Sequence, residues 1–179
     1  YRNRADWWYD PTSQLGFRKK ENNYETFSAE KCQLVSPEAQ KVYQLIQQEI
    51  QKKALAPYSV LAHEGFLRYV FIRESKSHSM QRIVAFVTFN TENPEKMETI
   101  ARVLLDSSFV SGVVWIINSQ WNDQIQGDVF RIWGNGELVE KINGIDYRYN
   151  ALCFFQTNPK MAGKLQAVVE EKIQEKENH

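Results

Sequence analysis

Three times in this chain a helix-capping residue is followed at once by proline: Ser36-Pro37, Asn93-Pro94 and Asn158-Pro159. A Ser or Asn side chain at the N-cap accepts from free N–H groups of the first turn. Proline at the next position loses nothing, because its N–H would have no partner there. Apolar residues at helical spacing follow each pair. Ala39, Val42, Ile46 and Ile50, widened by Leu45, predict a helix over 37–53. Met97, Ile100, Ala101 and Leu104 predict one over 94–106, and Met161, Leu165, Val168, Val169 and Ile173 one over 159–177.

The stretches between these helices read as strands. Phe66–Arg73 (FLRYVFIR) and Arg82–Phe89 (RIVAFVTF) are rich in aromatic and branched residues, and the polar segment 74–79 joins them as a hairpin. Gly112–Asn118 (GVVWIIN) is short and apolar, as a buried strand is. Tyr1–Tyr9, Leu15–Lys19 and Tyr24–Phe27 are strands before the first helix. Phe130–Trp133, Leu138–Ile142 and Asp146–Asn150 follow the second, with GNG (134–136) and NG (143–144) as hairpin turns, and Leu152–Phe155 is a last strand. From Tyr24 to Asn118 the order strand, helix, strand, strand, helix, strand predicts an α+β fold with a split βαβ, ferredoxin-like centre and extra antiparallel strands at both ends. The third helix carries an apolar stripe but no later strand to pack beside. This suggests a domain spanning 1–150 and the start of a second over 151–179. The first residues YRNRADWWYD and the charged last helix read as cuts through a longer chain.

Composition narrows the chemistry. Lys and Arg total 22, as do Asp and Glu, so the formal net charge is zero; an autonomous nucleic-acid binder usually carries excess positive charge. The two cysteines, Cys32 and Cys153, have no CxxC context, which argues against a disulfide framework and for a cytoplasmic setting, with both thiols as small core residues. No stretch is long and apolar enough to span a membrane, and no leader pattern is present. His63 and His78 lack a recognisable catalytic neighbourhood, and no GxGxxG, Walker, HExxH or GxSxG motif occurs. The strongest local bias is in residues 1–20, where five basic side chains (Arg2, Arg4, Arg18, Lys19, Lys20) alternate with Trp7, Trp8, Tyr9 and Phe17 against two acidic ones. Cations beside aromatic faces can grip phosphates and stack bases, although an ordinary strand pair with one solvated face has the same composition.

Six segments in order resemble the S-adenosyl-L-methionine (SAM)-dependent RNA uracil-C5 methyltransferases. They are Tyr1-Arg2-Asn3-Arg4, Leu15-Gly16-Phe17-Arg18, Cys32-Gln33-Leu34 with Ser36-Pro37, Phe66-Leu67-Arg68 with Ile72-Arg73, Val113-Val114-Trp115 with Ile117-Asn118, and Phe154-Phe155-Gln156-Thr157-Asn158, similar to the family's FxQxN signature. The resemblance implies a central RNA-binding domain followed by the first lip of a Rossmann-like methyltransferase domain, with structured rRNA or tRNA as partner. It implies that Gln156 belongs to the SAM and target-base site and that Phe154 lies against the flipped uridine or its neighbours. The cationic positions Arg2, Arg4, Arg18, Lys19 and Lys20 would contact RNA. Cys32 matches the last iron–sulfur ligand of the members that carry a 4Fe–4S cluster, a group this chain is not expected to hold by itself. The chain departs from the family at Asn150-Ala151, where Ser-Pro is common, and at Cys153, where Ser is. The Gly-rich SAM loop, nucleophilic cysteine and general base of the family are not among these residues. A non-catalytic split-βαβ module that binds RNA or protein is the competing reading.

Overall fold

A computed structural model describes residues 1–22 and 25–177, except for the side chain of Glu177. The elements are β1 (Arg4–Tyr9), β2 (Leu15–Arg18), β3 (Thr26–Ser28), α1 (Pro37–Lys52), β4 (Leu67–Glu74), β5 (Arg82–Thr88), α2 (Pro94–Asp106), β6 (Gly112–Ile117), β7 (Asp128–Gly134), β8 (Glu137–Ile142), β9 (Ile145–Asn150) and α3 (Pro159–Glu177). The helices match the expected spans to within a residue. Of the expected strand Tyr24–Phe27, residue 24 lies outside the described residues, and the observed strand is Thr26–Ser28.

The caps explain two of the helix starts. The Ser36 hydroxyl accepts from Ala39 N at 3.1 Å, and Asn158 Oδ1 accepts from Met161 N at 3.2 Å. Asn93 departs from expectation: its backbone is left-handed (φ 61°) and its side chain makes no cap. Its carbonyl instead accepts from Met97 N at 3.1 Å. Asparagine is among the few residues that tolerate this backbone region.

Seven strands form one sheet in the order β3-β2-β1-β4-β5-β6-β7, and β8 and β9 form a separate hairpin. Both faces of the sheet are covered. On one, α1 and α2 bury Ile46, Ile50, Ile100 and Leu104 against Trp7, Val70, Ile72, Phe86 and Trp115. On the other, Leu138 of β8 and Tyr149 of β9 pack on Phe71, Ile83, Ala85 and Val114. Double coverage is why β4 and β5 are buried at every position and read as unbroken apolar runs rather than alternating ones. The hairpin is pinned to the β4–β5 turn by Glu140, whose carboxylate accepts from Lys76 N at 2.7 Å and Ser77 N at 2.8 Å.

The α+β class holds, but the split arrangement does not. A split βαβ needs a strand between the two parallel ones, whereas here β5 and β6 pair directly and in parallel around α2. Element order does not choose neighbours. The free edge of β4 is taken by β1, which pairs over five residues, while β3 has three residues, two of them exposed, and sits at the sheet edge. Two turns divide likewise. Asn143 and Gly144, both at positive φ, make the β8–β9 hairpin as expected. The GNG segment is no hairpin turn, because β7 pairs with β6 and Gly134 (φ 72°) switches the chain from one sheet to the other. Leu152–Phe155 forms no strand, with bends at 151–153 and irregular backbone at Phe154 and Phe155: Asn150 Oδ1 accepts from Leu152 N and Cys153 N, both at 2.9 Å, and this local turn replaces a ladder.

Candidate nucleic-acid interface

The hairpin face of the sheet leaves a cleft of about 870 Å³. Its walls are the ends of β1 and β4 (Arg4, Asp6, Arg73), the β6–β7 loop (Asn118, Gln120, Asn122) and the segment after β9 (Cys153, Phe154, Phe155, Thr157). Strand alternation sets the floor: Arg4, Asp6 and Trp8 share one face of β1 and lie opposite Arg73, Phe71 and Tyr69 of β4.

The segment after β9 is held from both sides. Asn3, buried just before β1, donates through its backbone N–H to Thr157 O at 2.9 Å and through Nδ2 to Gln156 O at 3.1 Å. Phe155 stacks on Tyr149 with ring centroids 4.2 Å apart and an interplanar angle of 6°. Between these anchors Phe154 projects outward, 85% exposed, and the Gln156 side chain is exposed as well. Phe154 and Gln156 therefore face out while Phe155 packs inward, though Phe155 is half-buried and not a full core residue. Cys153 is exposed and lines the cleft; the expectation of a buried thiol fails because the bend at Asn150 turns this segment out of the sheet.

The β6–β7 loop is braced by two arginines. Arg68, fully buried, donates from Nη1 to Asn118 O at 2.6 Å and Gln120 O at 2.9 Å, and from Nη2 to Asn122 O. Arg18 makes a two-pronged ion pair with Asp123, donates to Tyr69 Oη at 2.8 Å and lies 4.3 Å over the Trp8 ring. Burial would raise the Asp123 carboxyl, but hydrogen bonds from Arg18 and Tyr69 outweigh it and hold the group below the usual range.

The basic residues singled out from the sequence thus divide. Arg4 is in the cleft, bonded through Nε to Asp6 at 2.6 Å and lying 4.5 Å over Phe71. Arg2 and Arg4 also border a smaller cavity with Cys32 and Thr157. Arg18, Lys19 and Lys20 sit at the C-terminal end of β2 and just beyond it, where Lys19 pairs with Glu25 at 2.6 Å and Lys20 is exposed. Cys32 packs half-buried against the helix-face core. Among the described residues no group of three His, Cys, Asp or Glu could hold a metal ion, so these residues do not fit a cluster. His63 accepts from or donates to Tyr58 Oη at 3.0 Å and stacks on Trp121, and His78 lies in the β4–β5 turn. Among the described residues no helix is long and apolar enough to cross a membrane.

Composition did not single out Arg68 and Arg73. Their signal was available, since a charged residue inside an unbroken apolar strand has to be buried with a partner or for a ligand. The geometry defines a class: an α+β module with a cleft that sets an exposed ring, Phe154, in one cavity with a buried arginine, Arg73, and a half-buried one, Arg4.

Comparison with known proteins is specific. No family model matches the chain. The chain is 27% identical over 160 residues to the tRNA (uracil(54)-C(5))-methyltransferase of Pyrococcus furiosus, covering 89% of this chain and 37% of that protein. It is 28% identical over 179 residues to an uncharacterised RNA methyltransferase of Nanoarchaeum equitans, covering 99% of this chain and 39% of that protein. Its fold matches the crystal structure of the Pyrococcus abyssi tRNA (uracil-54, C5)-methyltransferase in complex with S-adenosyl-L-homocysteine, with a TM-score of 0.79 and 26% identity, over 95% of this chain and 40% of that one. Sequence and fold both show the likeness to RNA uracil-C5 methyltransferases. The chain spans about two fifths of the length of these relatives.

Proposed function

We propose that this chain is the RNA-docking part of a SAM-dependent RNA uracil-C5 methyltransferase acting on structured RNA, tRNA or rRNA, in the cytoplasm. Residues 1–150 form the RNA-binding domain, and 151–179 form the lip of a methyltransferase domain. The observation that carries this reading is Phe154: a large ring 85% exposed, at the mouth of a cleft and held there by Asn3 and the Phe155–Tyr149 stack. An enzyme that modifies a base must extrude it and hold it against a ring. Arg2 and Arg4 contact RNA beside that ring. Lys19 and Lys20 reach the backbone further along, and Arg18 serves chiefly as a brace for the loop that lines the cleft.

The exposed carboxamide of Gln156 offers both donor and acceptor at a fixed point of the main chain, which fits a contact to SAM or to the target base. When bound, SAM supplies the methyl group. One carboxamide does not make a cofactor pocket, and the sequence has no Gly-rich loop, so methyl transfer itself belongs to other parts of the longer protein. Cross-linking tests the reading. A stem-loop RNA carrying 5-iodouridine at its unpaired positions, irradiated with the chain, should couple to a peptide containing residues 150–157. Coupling confined to the outer faces of α1 and α2 would reject it.

A further inference from the structure

Arg73 has one aromatic contact, the Tyr149 ring centred 5.6 Å from its guanidinium carbon, and is otherwise poorly partnered. It is 3% exposed, yet its Nε has no hydrogen-bond partner, and among the described residues its guanidinium makes no ion pair. Its neighbour across the β1–β4 ladder is a second arginine, Arg4, whose own charge is directed to Asp6. Burial, and then the charge of Arg4, push Arg73 down to about 10. Arg68 Nε also lacks a partner, but the other two buried arginines of this sheet are bonded through their terminal nitrogens. Arg68 donates to three carbonyls, and Arg82 donates to Glu74, Phe109 O and Ser79 O. An unpaired buried guanidinium is costly, and a methionine of similar length would fold at least as well. What Arg73 does have is a place in the cleft wall, with Arg4 beside it and Phe154 in the same cavity.

We propose that Arg73, assisted by Arg4, is the receptor for a phosphate group of the nucleotide that enters the cleft against Phe154. The proposal rests on the RNA reading above and adds to it the residue and the chemical group recognised. A guanidinium fork matches the geometry of a phosphate and restores the bonds that Arg73 lacks. A phosphate also relieves the repulsion between the two arginines, which Asp6 offsets in part while making its direct ion pair with Arg4 alone. A ring for the base and a cation pair for the phosphate occupy one cavity, and a volume of about 870 Å³ is within the range of sites that hold a nucleotide.

The test is arginine-selective NMR of the whole chain, with the Arg73 Nε–H signal assigned by its loss in Arg73→Met. Uridine 5′-monophosphate should shift that signal saturably, inorganic phosphate should shift it more weakly, and uridine or acetate should leave it in place. Arg73→Met should keep or raise the melting temperature while weakening uridine monophosphate binding at least about tenfold, with Arg73→Lys in between. An equal response to uridine or acetate, or none to uridine monophosphate, overturns the phosphate assignment. A sharply lowered melting temperature in Arg73→Met does so too, because it would reveal a structural partner. A stem-loop RNA separates this proposal from the one it rests on. Equal RNA binding by wild type and Arg73→Met overturns the receptor and leaves the RNA reading standing. If wild type binds no RNA while uridine monophosphate still shifts Arg73, the RNA reading falls and the receptor stands.

Discussion

Arg73 and Glu74 are adjacent on β4 and point to opposite faces of the sheet. Glu74 on the helix face is saturated: its carboxylate accepts from Ser36 N, Ser36 Oγ, Lys76 Nζ and Arg82 Nε. Arg73 on the cleft face is equally buried and has none of this. One strand thus serves two purposes by alternation alone. One face ties α1 and the β4–β5 turn into the fold, and the other keeps a charge unpaired beside an open cavity. Where partners are built in, losing one of them is costly; where they are missing, the buried charge is a candidate for a site that a ligand completes.

The comparison can be broken most forcefully at Glu74. Glu74→Ala leaves Arg82 buried without its carboxylate and should destabilise the chain by about 3–5 kcal/mol in urea denaturation; a loss under about 1 kcal/mol would show that the helix face is no better satisfied than the cleft. The cleft segment should give less. Phe155→Ala removes a half-buried ring stacked on Tyr149 and should cost about 2 kcal/mol, below the 3–5 typical of a fully buried phenylalanine. Acid should give a smaller effect of defined sign. Burial would raise the Glu74 carboxyl, but hydrogen bonds from Lys76 and Ser36 hold it below its ordinary value of about 4.3. Its contribution is therefore fully present above about pH 4.5 and is lost as pH falls through the lowered native value, at about 1.4 kcal/mol for each unit of separation. Glu74→Gln should flatten that part of the stability–pH curve, and an unchanged curve would remove Glu74 as its source. Phe154→Ala should be the smallest, within about 0.5 kcal/mol of wild type, as an exposed side chain is.

The helices were legible because Ser36-Pro37, Asn93-Pro94 and Asn158-Pro159 announce themselves locally, and the apolar stripes behind them are long enough to give a period. The strands were legible as segments but not as neighbours. Nothing in Thr26–Ser28 or Arg4–Tyr9 says which will lie beside β4, because pairing is decided by competition for an edge and a three-residue strand loses it. The turns show the same limit: NG at 143–144 needs only its own backbone to form a hairpin, whereas GNG at 134–136 leads to another sheet, a matter of long-range packing. At the candidate site, motif resemblance pointed to Phe154 and Gln156 and the basic bias of residues 1–20 to Arg4; Phe154 and Arg4 line the cleft, whereas the Gln156 side chain is exposed beside it. The division of labour between Arg4 in the cleft and Arg18 on Asp123 was not legible, since it depends on a loop over a hundred residues away from Arg18.

Arg73→Met and Glu74→Gln, measured side by side for melting temperature and for affinity to one unmodified stem-loop RNA, test the central claim most directly. If the cleft face serves RNA and the helix face serves stability, Arg73→Met melts at or above wild type and loses at least about tenfold in affinity. Glu74→Gln then melts lower and, at a temperature where it is folded, binds as wild type does. Equal RNA binding by Arg73→Met, or loss of binding by folded Glu74→Gln, would contradict the assignment of the two faces.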